Sequence, residues 1–404
     1  MTATDITNQN RAASTAVYAV LMAVAACHMI NDTLQAVLLA MYPVLRDSYA
    51  LTFGQIGLLT MVFQVTASIL QPLVGHFTDR KPLPYSLPVA PAFTLVGIIL
   101  LAMASSFTGL LVAAAAIGVG SAIFHPESSR VARLASGGRY GMAQSLFQVG
   151  GNVGTAIGPL LVAWFVLPRG QMSVVWFGAI AIGAIAILGA VGRWYSEHLA
   201  ERKSFRSPVQ VSHGLSSSRI AISLAILIAL MFSKFLYMTS LGSFYAFYLI
   251  DHFHVGVKEA QIYLFIFLGA VAFGTFAGGP IGDRIGRKAV IWFSILGSLP
   301  FTLLLPFSNL FWTVVLTVPI GLILASAFSA IIVYGQELLP GRVGMVSGLF
   351  FGFAFGFGGF GAAALGALAD ETSITFVYQL CSVLPAIGLL TVFLPSHDHL
   401  KSVT

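Results

Sequence analysis

Gly279-Pro280-Ile281-Gly282-Asp283-Arg284-Ile285-Gly286-Arg287-Lys288 is a charged stretch, punctuated by glycine, between the long apolar runs 258–281 and 288–306. A counterpart lies 204 residues earlier, where Gly75-His76-Phe77-Thr78-Asp79-Arg80 closes the apolar run 52–77 and repeats the Gly-x-x-x-Asp-Arg frame. A second pair recurs at an offset of 203, Gly138-Arg139-Tyr140-Gly141-Met142 with Gly341-Arg342-Val343-Gly344-Met345. Two matches at nearly one offset predict a chain built from two like halves.

Outward from these repeats, apolar runs near 16–45, 52–77, 86–105, 107–133, 139–167 and 172–195 are followed by six more near 219–250, 258–281, 288–306, 310–338, 341–369 and 373–394. Each is about as long as the 20 or so apolar residues that a helix needs to cross a bilayer. The composition agrees: of 404 residues, 57% are hydrophobic and 8% charged, against about 25% charged in soluble domains. A water-soluble fold is excluded, because 20 Lys and Arg with 14 Asp and Glu cannot coat a globule of this length. The 41 glycines suit helices that approach closely in lipid. Cys27 and Cys381 lie in apolar runs and form neither a disulfide framework nor a metal-ligand pattern.

The expected fold is therefore all-α and polytopic, with 12 transmembrane helices in two pseudo-symmetric six-helix bundles over 1–195 and 219–404, joined by a polar cytoplasmic linker over 196–218. If the N-terminus is cytoplasmic, 16 of the 20 cations fall on the cytoplasmic side, and only Arg46, Arg169 and Lys258 fall outside. That bias predicts cytoplasmic N- and C-termini and insertion in a cell inner membrane. The net charge of +6 is then a product of topology and implies no nucleic-acid partner.

Charged and amide side chains inside the runs carry the functional information, since each costs on the order of 2.5–3.5 kcal/mol at a helix centre. His28, Asn31, Asp32 and Gln35 are spaced i, i+3, i+4 and i+7 and share one helical face. Burial and mutual contact act in opposite senses on the protonation of His28 and Asp32, so water access decides between them, as a proton-coupling site requires. In the fourth run, Phe124-His125-Pro126-Glu127 predicts a helix broken at the proline. Glu127 is a second proton-coupling candidate, with an ion pair to Arg130 or Arg133 as the structural alternative. Gln64 on the second run and Gln148 and Asn152 on the fifth offer uncharged hydrogen-bonding surfaces. Lys234 lies about 22 Å along its helix from Arg219, too deep to snorkel, and shares a face with Tyr237 and Tyr245. It is expected to bind an anion within an aromatic wall, or to pair with Asp32.

Gly279 to Lys288 resembles the hallmark loop of the major facilitator superfamily, and the first copy departs from it where Lys81-Pro82 replaces Gly-Arg-Lys. The resemblance implies that Gly75, Asp79 and Arg80, and Gly279, Asp283, Arg284 and Arg287, latch the cytoplasmic ends in one conformation. Gly154-x-x-x-Gly158-Pro159, after Gly150-Gly151-Asn152, partly resembles the antiporter signature of that superfamily, though tight helix packing explains the glycines as well. His28-x-x-Asn31-Asp32 with Phe124-His125-Pro126-Glu127 resembles the fosmidomycin resistance protein family of exporters, over most of the chain. This implies proton-coupled antiport of a small anionic phosphonate by alternating access, with His28, Asn31, Asp32, His125 and Glu127 at the cavity. An importer or exchanger of another organic anion or a sugar shares the same topology. An enzyme or receptor is the remote alternative. His125 with Glu127 is the only candidate for enzyme chemistry, and no sizeable soluble effector region is apparent. No cofactor or metal is expected, and the expected partners are the anionic substrate, protons and the bilayer, around a monomer.

Overall fold

The structure, a computed structural model, describes residues 17–80, 82–137, 140–201, 215–339 and 343–395. Among these residues the secondary structure is helical throughout. The principal helices are α1 (Tyr18–Ala40), α2 (Phe53–Arg80), α3 (Ser86–Met103), α4 (Phe107–Leu134), α5 (Tyr140–Leu161) and α6 (Gly178–Glu201). The second series is α7 (Ser217–Phe253), α8 (Val257–Ile285), α9 (Arg287–Leu296), α10 (Leu310–Leu338), α11 (Val343–Glu371) and α12 (Ile374–Ser382). Eleven segments among the described residues are long and apolar enough to cross a membrane. The one expected run not among them is built as the 29-residue helix α11.

Polar residues start several of these helices. The side chains of Ser106, Ser216, Asn309 and Ser373 accept hydrogen bonds from the backbone N–H three residues on, at 3.2, 3.4, 3.0 and 3.1 Å, each satisfying an otherwise orphaned first-turn donor. Prolines set off shorter pieces inside the expected runs. Pro43, Pro300 and Pro385 each sit in the first turn of a new segment (Tyr42–Tyr49, Leu299–Leu304 and Leu384–Phe393), where a missing N–H costs nothing.

The repeat reappears in the backbone. Among the described residues only Ala50 and His254 have positive φ without being glycine, at 49° and 57°. They are 204 residues apart, and each ends a helix by donating its N–H to the carbonyl four residues back, Arg46 and Ile250.

One expectation is corrected. Pro126 does not break its helix: α4 runs uninterrupted from Phe107 to Leu134, held on both sides by α2 and α3, so the donor lost at Pro126 leaves the overall path intact. The interruption comes instead after Pro159, where α5 passes into a π-helical turn at Val162–Val166. Helix α6 runs on to Glu201, six residues into the segment expected as the linker, with the His198 ring packed on Trp194 at 4.2 Å between centroids. Residues 202–214, the middle of that linker, lie outside the described residues.

The core is arranged as a V. One apolar cluster joins both halves, with Leu34, Leu38, Leu45 and Ile56 meeting Tyr237, Phe244, Phe247 and Tyr378. Towards the other end it gives way to two separate clusters. One belongs to the first half, around Leu21, Val24, Phe124 and Tyr195, and the other to the second, around Leu230, Ile291, Tyr334 and Phe350. Helix α2 lies along α11 and α5 along α8, forming the two seams between halves. Large side chains such as Phe93, Trp176, Phe307 and Phe311 point outward, which hydrocarbon tolerates and water does not.

Candidate functional site

Three ionisable side chains converge where the shared cluster of the first half gives way to its private one. His28 and Asp32 come from consecutive turns of α1, and His125 comes from α4. The His28 Nε2 atom is 3.2 Å from Asp32 Oδ2 and 3.2 Å from His125 Nε2, while His125 Nε2 is 3.7 Å from Asp32 Oδ1. Their exposures grade outward: the side chain of His28 is 3% exposed, that of Asp32 18% and that of His125 23%. The cluster is thus anchored in protein at one end and wet at the other.

The tautomers follow from the partners. The His28 Nδ1–H donates to the Phe147 carbonyl at 2.8 Å, and the His125 Nδ1–H donates to the Ser121 carbonyl at 2.9 Å. A carbonyl only accepts, so both Nδ1 atoms carry hydrogen and, in the neutral rings, both Nε2 atoms present lone pairs. Those lone pairs face each other and a carboxylate. The arrangement repels itself unless a cation sits among the three, and two imidazoles with one carboxylate, all within 4.8 Å, suit either a proton or a divalent metal.

Neighbouring groups hold the carboxylate in place. Asn31 Nδ2 donates to Asp32 Oδ1 at 3.0 Å and Gln35 Nε2 donates to the same oxygen at 3.4 Å, while Ser121 Oγ donates to Gln35 Oε1 at 3.4 Å. The polar face of α1 is therefore one connected network. The His28 ring stacks on Phe147, with centroids 4.0 Å apart, and so is fixed in orientation as well.

The glycines of α5 make room for this network. A Cβ on Gly150 or Gly154 would strike the backbone of α1 at Ala25 or Met29, and one on Gly158 would strike Ala36. At Gly151 it would collide with the His28 ring and come 2.7 Å from Asp32 Oδ2. The structure thus gives the Gly-x-x-x-Gly pattern a packing role. Gly151→Val should lower thermal stability by about 1–3 kcal/mol and abolish transport, whereas Gly183→Ala, on an open face of α6, should change neither. A Gly151→Val protein as stable and active as the parent would show that this contact is not needed.

Glu127 lies apart from the trio. Its side chain is fully buried, with Arg130 Nη1 3.2 Å away, and Arg130 also donates to the Thr78 carbonyl at 2.7 Å. Arg130 thus stands at ion-pairing distance from Glu127 and ties α4 to the loop end of α2. Asn31 on α1 borders the cluster, Gln148 and Asn152 lie on α5, and the Nδ2 of Asn152 is buried with no hydrogen-bond partner among the described residues. Gln64 lies in the seam between α2 and α11, against Gly358 and Gly359.

Lys234 is 4% exposed on α7, with its ammonium 5.2 Å from the Phe235 ring centroid and 5.0 Å from that of Phe328. It has no acidic partner among the described residues, and Asp32 makes its contacts elsewhere. The aromatic wall is therefore Phe235 and Phe328. Tyr237 and Tyr245, expected in that place, are buried in the cluster shared by both halves. At the offset of 204 that Ala50 and His254 set for this helix pair, Lys234 corresponds to Ile30, the neighbour of Asn31, so the two halves bring it and the α1 network to matching depths.

Of the expected latch residues, Gly75, Asp79, Arg80, Gly279, Asp283 and Arg284 have side chains outside the described residues. Arg287 forms an ion pair with Glu337. At the closed end of the V, contacts that sequence reasoning missed join the halves: Asp370 accepts from Phe53 and Gly54, and Arg46 approaches Asp251 at 3.7 Å and lies 4.0 Å over the Phe53 ring. The available signal was Asp370 itself, an acid at a helix C-terminus, where the helix dipole favours a cation.

The family model described as Major Facilitator Superfamily matches residues 22–245 and 226–403. The chain is 54% identical over 382 residues to the fosmidomycin resistance protein of Escherichia coli (strain K12), covering 95% of this chain and 94% of that one. It is 43% identical over 389 residues to the uncharacterized MFS-type transporter YfnC of Bacillus subtilis (strain 168), covering 96% and 95%. Among solved structures it resembles the nucleoside transporter NupG, with a TM-score of 0.72 at 12% identity, over 93% of this chain and all of that one. It also resembles an inward-facing bacterial homolog of the human lysosomal transporter Spinster, with a TM-score of 0.68 at 17% identity, over 93% and 94%. These low identities speak for the fold alone. With its repeated halves, its spanning helices and these matches, the chain belongs to the major facilitator superfamily and is a multi-pass membrane transporter, not an enzyme.

Proposed function

We propose that the protein is a proton-coupled antiporter that exports a small anionic drug, a phosphonate of the fosmidomycin kind, by alternating access. The observation that carries this reading is the pairing of two opposite needs at one depth: a lone-pair cluster that calls for a cation (His28, Asp32, His125) and a buried ammonium without an acidic partner among the described residues (Lys234). A proton answers the first and an anion answers the second. The relative named for fosmidomycin resistance supports the choice of phosphonate.

The proposed units are a six-helix bundle over 1–195, a linker over 196–218 and a second bundle over 219–404, in a monomer in the cell inner membrane with both termini cytoplasmic. With that orientation the V opens to the cytoplasm. Substrate enters from there and meets Lys234 and the amides of Asn31, Gln148 and Asn152, since a phosphonate presents several acceptor oxygens and negative charge. After the halves rock, protons from outside reach the Asp32 cluster, and the return stroke delivers them inward.

Reconstituted vesicles with the cytoplasmic face outward test the reading. An acidic lumen should drive accumulation of a phosphonate such as fosmidomycin, and collapse of the pH difference should stop it. Phosphonate flux that ignores the pH difference would rule out coupling. Absence of phosphonate flux beside uptake of a sugar or another organic anion would replace the substrate class.

A further inference from the structure

The closed end of the V contains a helix cap shared between the halves. Helix α2 opens with Thr52-Phe53-Gly54-Gln55, a capping box in which the Thr52 N–H donates to Gln55 Oε1 at 2.9 Å and the Gln55 N–H donates to Thr52 Oγ1 at 3.2 Å. The box leaves two first-turn donors over, the N–H groups of Phe53 and Gly54. Asp370, at the end of α11, takes both: its Oδ1 accepts from Phe53 at 2.7 Å and its Oδ2 from Gly54 at 2.6 Å. The acid that opposes the dipole of its own helix completes the cap of another.

The seam is built for this approach. A Cβ on Gly57 would come within 2.8 Å of the Ala363 Cα, and one on Gly366 within 2.9 Å of the Phe53 carbonyl carbon, so only glycines let the backbones meet. The other seam closes differently. Lys258, which stands at the repeat equivalent of Gly54, places its ammonium 3.7 Å from the Trp164 ring centroid. Asp370 is exposed, so separation of the halves hands its carboxylate to water and strands no buried charge. A contact of that kind can be broken in every cycle.

We propose that Asp370 is a positioning residue for transport: its carboxylate completes the cap of α2 only while this end of the V is shut, and so sets the balance between the shut and open forms. The inference rests on the alternating-access reading above, but its test needs no substrate.

Nitroxide labels on Ser48→Cys and Thr372→Cys, both exposed and on opposite sides of the seam, report the gap in the full-length protein by pulsed electron resonance. The native cysteines Cys27 and Cys381 are buried. The parent should show a dominant short distance. Asp370→Ala should lower the ratio of short to long populations about tenfold or more, as loss of a charged acceptor for two donors implies. Asp370→Asn should fall between, and Gln55→Ala, which weakens the cap within α2 only, should leave the distribution as in the parent. An unchanged distribution in Asp370→Ala, or an equal shift in Gln55→Ala, overturns the proposal. If Asp370→Ala fails to insert, Asp370→Asn decides by the same measurement. Failure of phosphonate transport with the distance shift intact would count against the substrate assignment and leave Asp370 in place.

Discussion

Asp32→Asn should abolish pH-driven export while leaving the protein folded. The carboxylate receives hydrogen bonds from Asn31 and Gln35 and faces two imidazole lone pairs. An amide of the same shape keeps an oxygen for Asn31 and supplies an N–H where the native cluster needs a cation, so its nitrogen can donate to His28 Nε2 and relieve the clash of lone pairs. The variant is then satisfied without a proton. A stability change within about 1 kcal/mol is expected, because shape and hydrogen bonding are conserved. A charged hydrogen bond of about 1.5–3 kcal/mol disappears from the proton-loaded form, which corresponds to a loss of roughly 10- to 150-fold in proton occupancy. Vesicle flux under an imposed pH difference checks this. Flux that keeps its pH dependence in Asp32→Asn removes this carboxylate from the proton path.

The same network explains why export would be tied to the conformational cycle. His28 is locked by Phe147 and buried, whereas Asp32 and His125 reach water. The group that proton and solvent meet first is therefore the one farthest from the packed core. Gly151 is in contact with both His28 and Asp32, so a shift of α5 against α1 would alter the cluster directly. Helix α5 also forms one of the two seams between halves, with α8. A proton bound at Asp32, as proposed, would thus sit against the helix that moves at that seam, which is the physical link that coupling needs.

Much of this was legible in the sequence because single helices write their faces into it. The i, i+3, i+4, i+7 spacing of His28, Asn31, Asp32 and Gln35 belongs to one helix, and the structure finds those four in one network. The repeat at 204 was visible in loop residues and returned in the paired left-handed residues Ala50 and His254. What failed involved contacts between helices. Tyr237 and Tyr245 share a helical face with Lys234, but rings from the next residue and from α10, Phe235 and Phe328, lie nearer its ammonium. Pro126 looked like a break, yet packing on two sides carries α4 through it. Asp370 bonds to residues more than 300 positions away, and no spacing rule within one chain segment reaches that far.

Lys234→Ala separates an anion site from a structural ion pair by the sign of its effect on stability. Breaking a buried ion pair strands its partner and costs about 3–5 kcal/mol. Lys234 has no acidic partner among the described residues and its ammonium lies over two rings, so removing that ammonium strands no acid and relieves an insertion cost on the order of 2.5–3.5 kcal/mol. The variant should therefore melt at the parent temperature or above it. Binding should move the other way: a phosphonate loses a charged hydrogen bond of about 1.5–3 kcal/mol, a fall in affinity of roughly 10- to 150-fold, while a neutral ligand of similar size loses little. Lys234→Arg should retain part of the phosphonate affinity, since the charge persists in a bulkier form. Calorimetric titration of both ligands, beside thermal melts of each variant, reads the two signs together. A lower melting temperature with equal losses for charged and neutral ligands would mean that Lys234 holds the fold, and the anion would have to be received elsewhere.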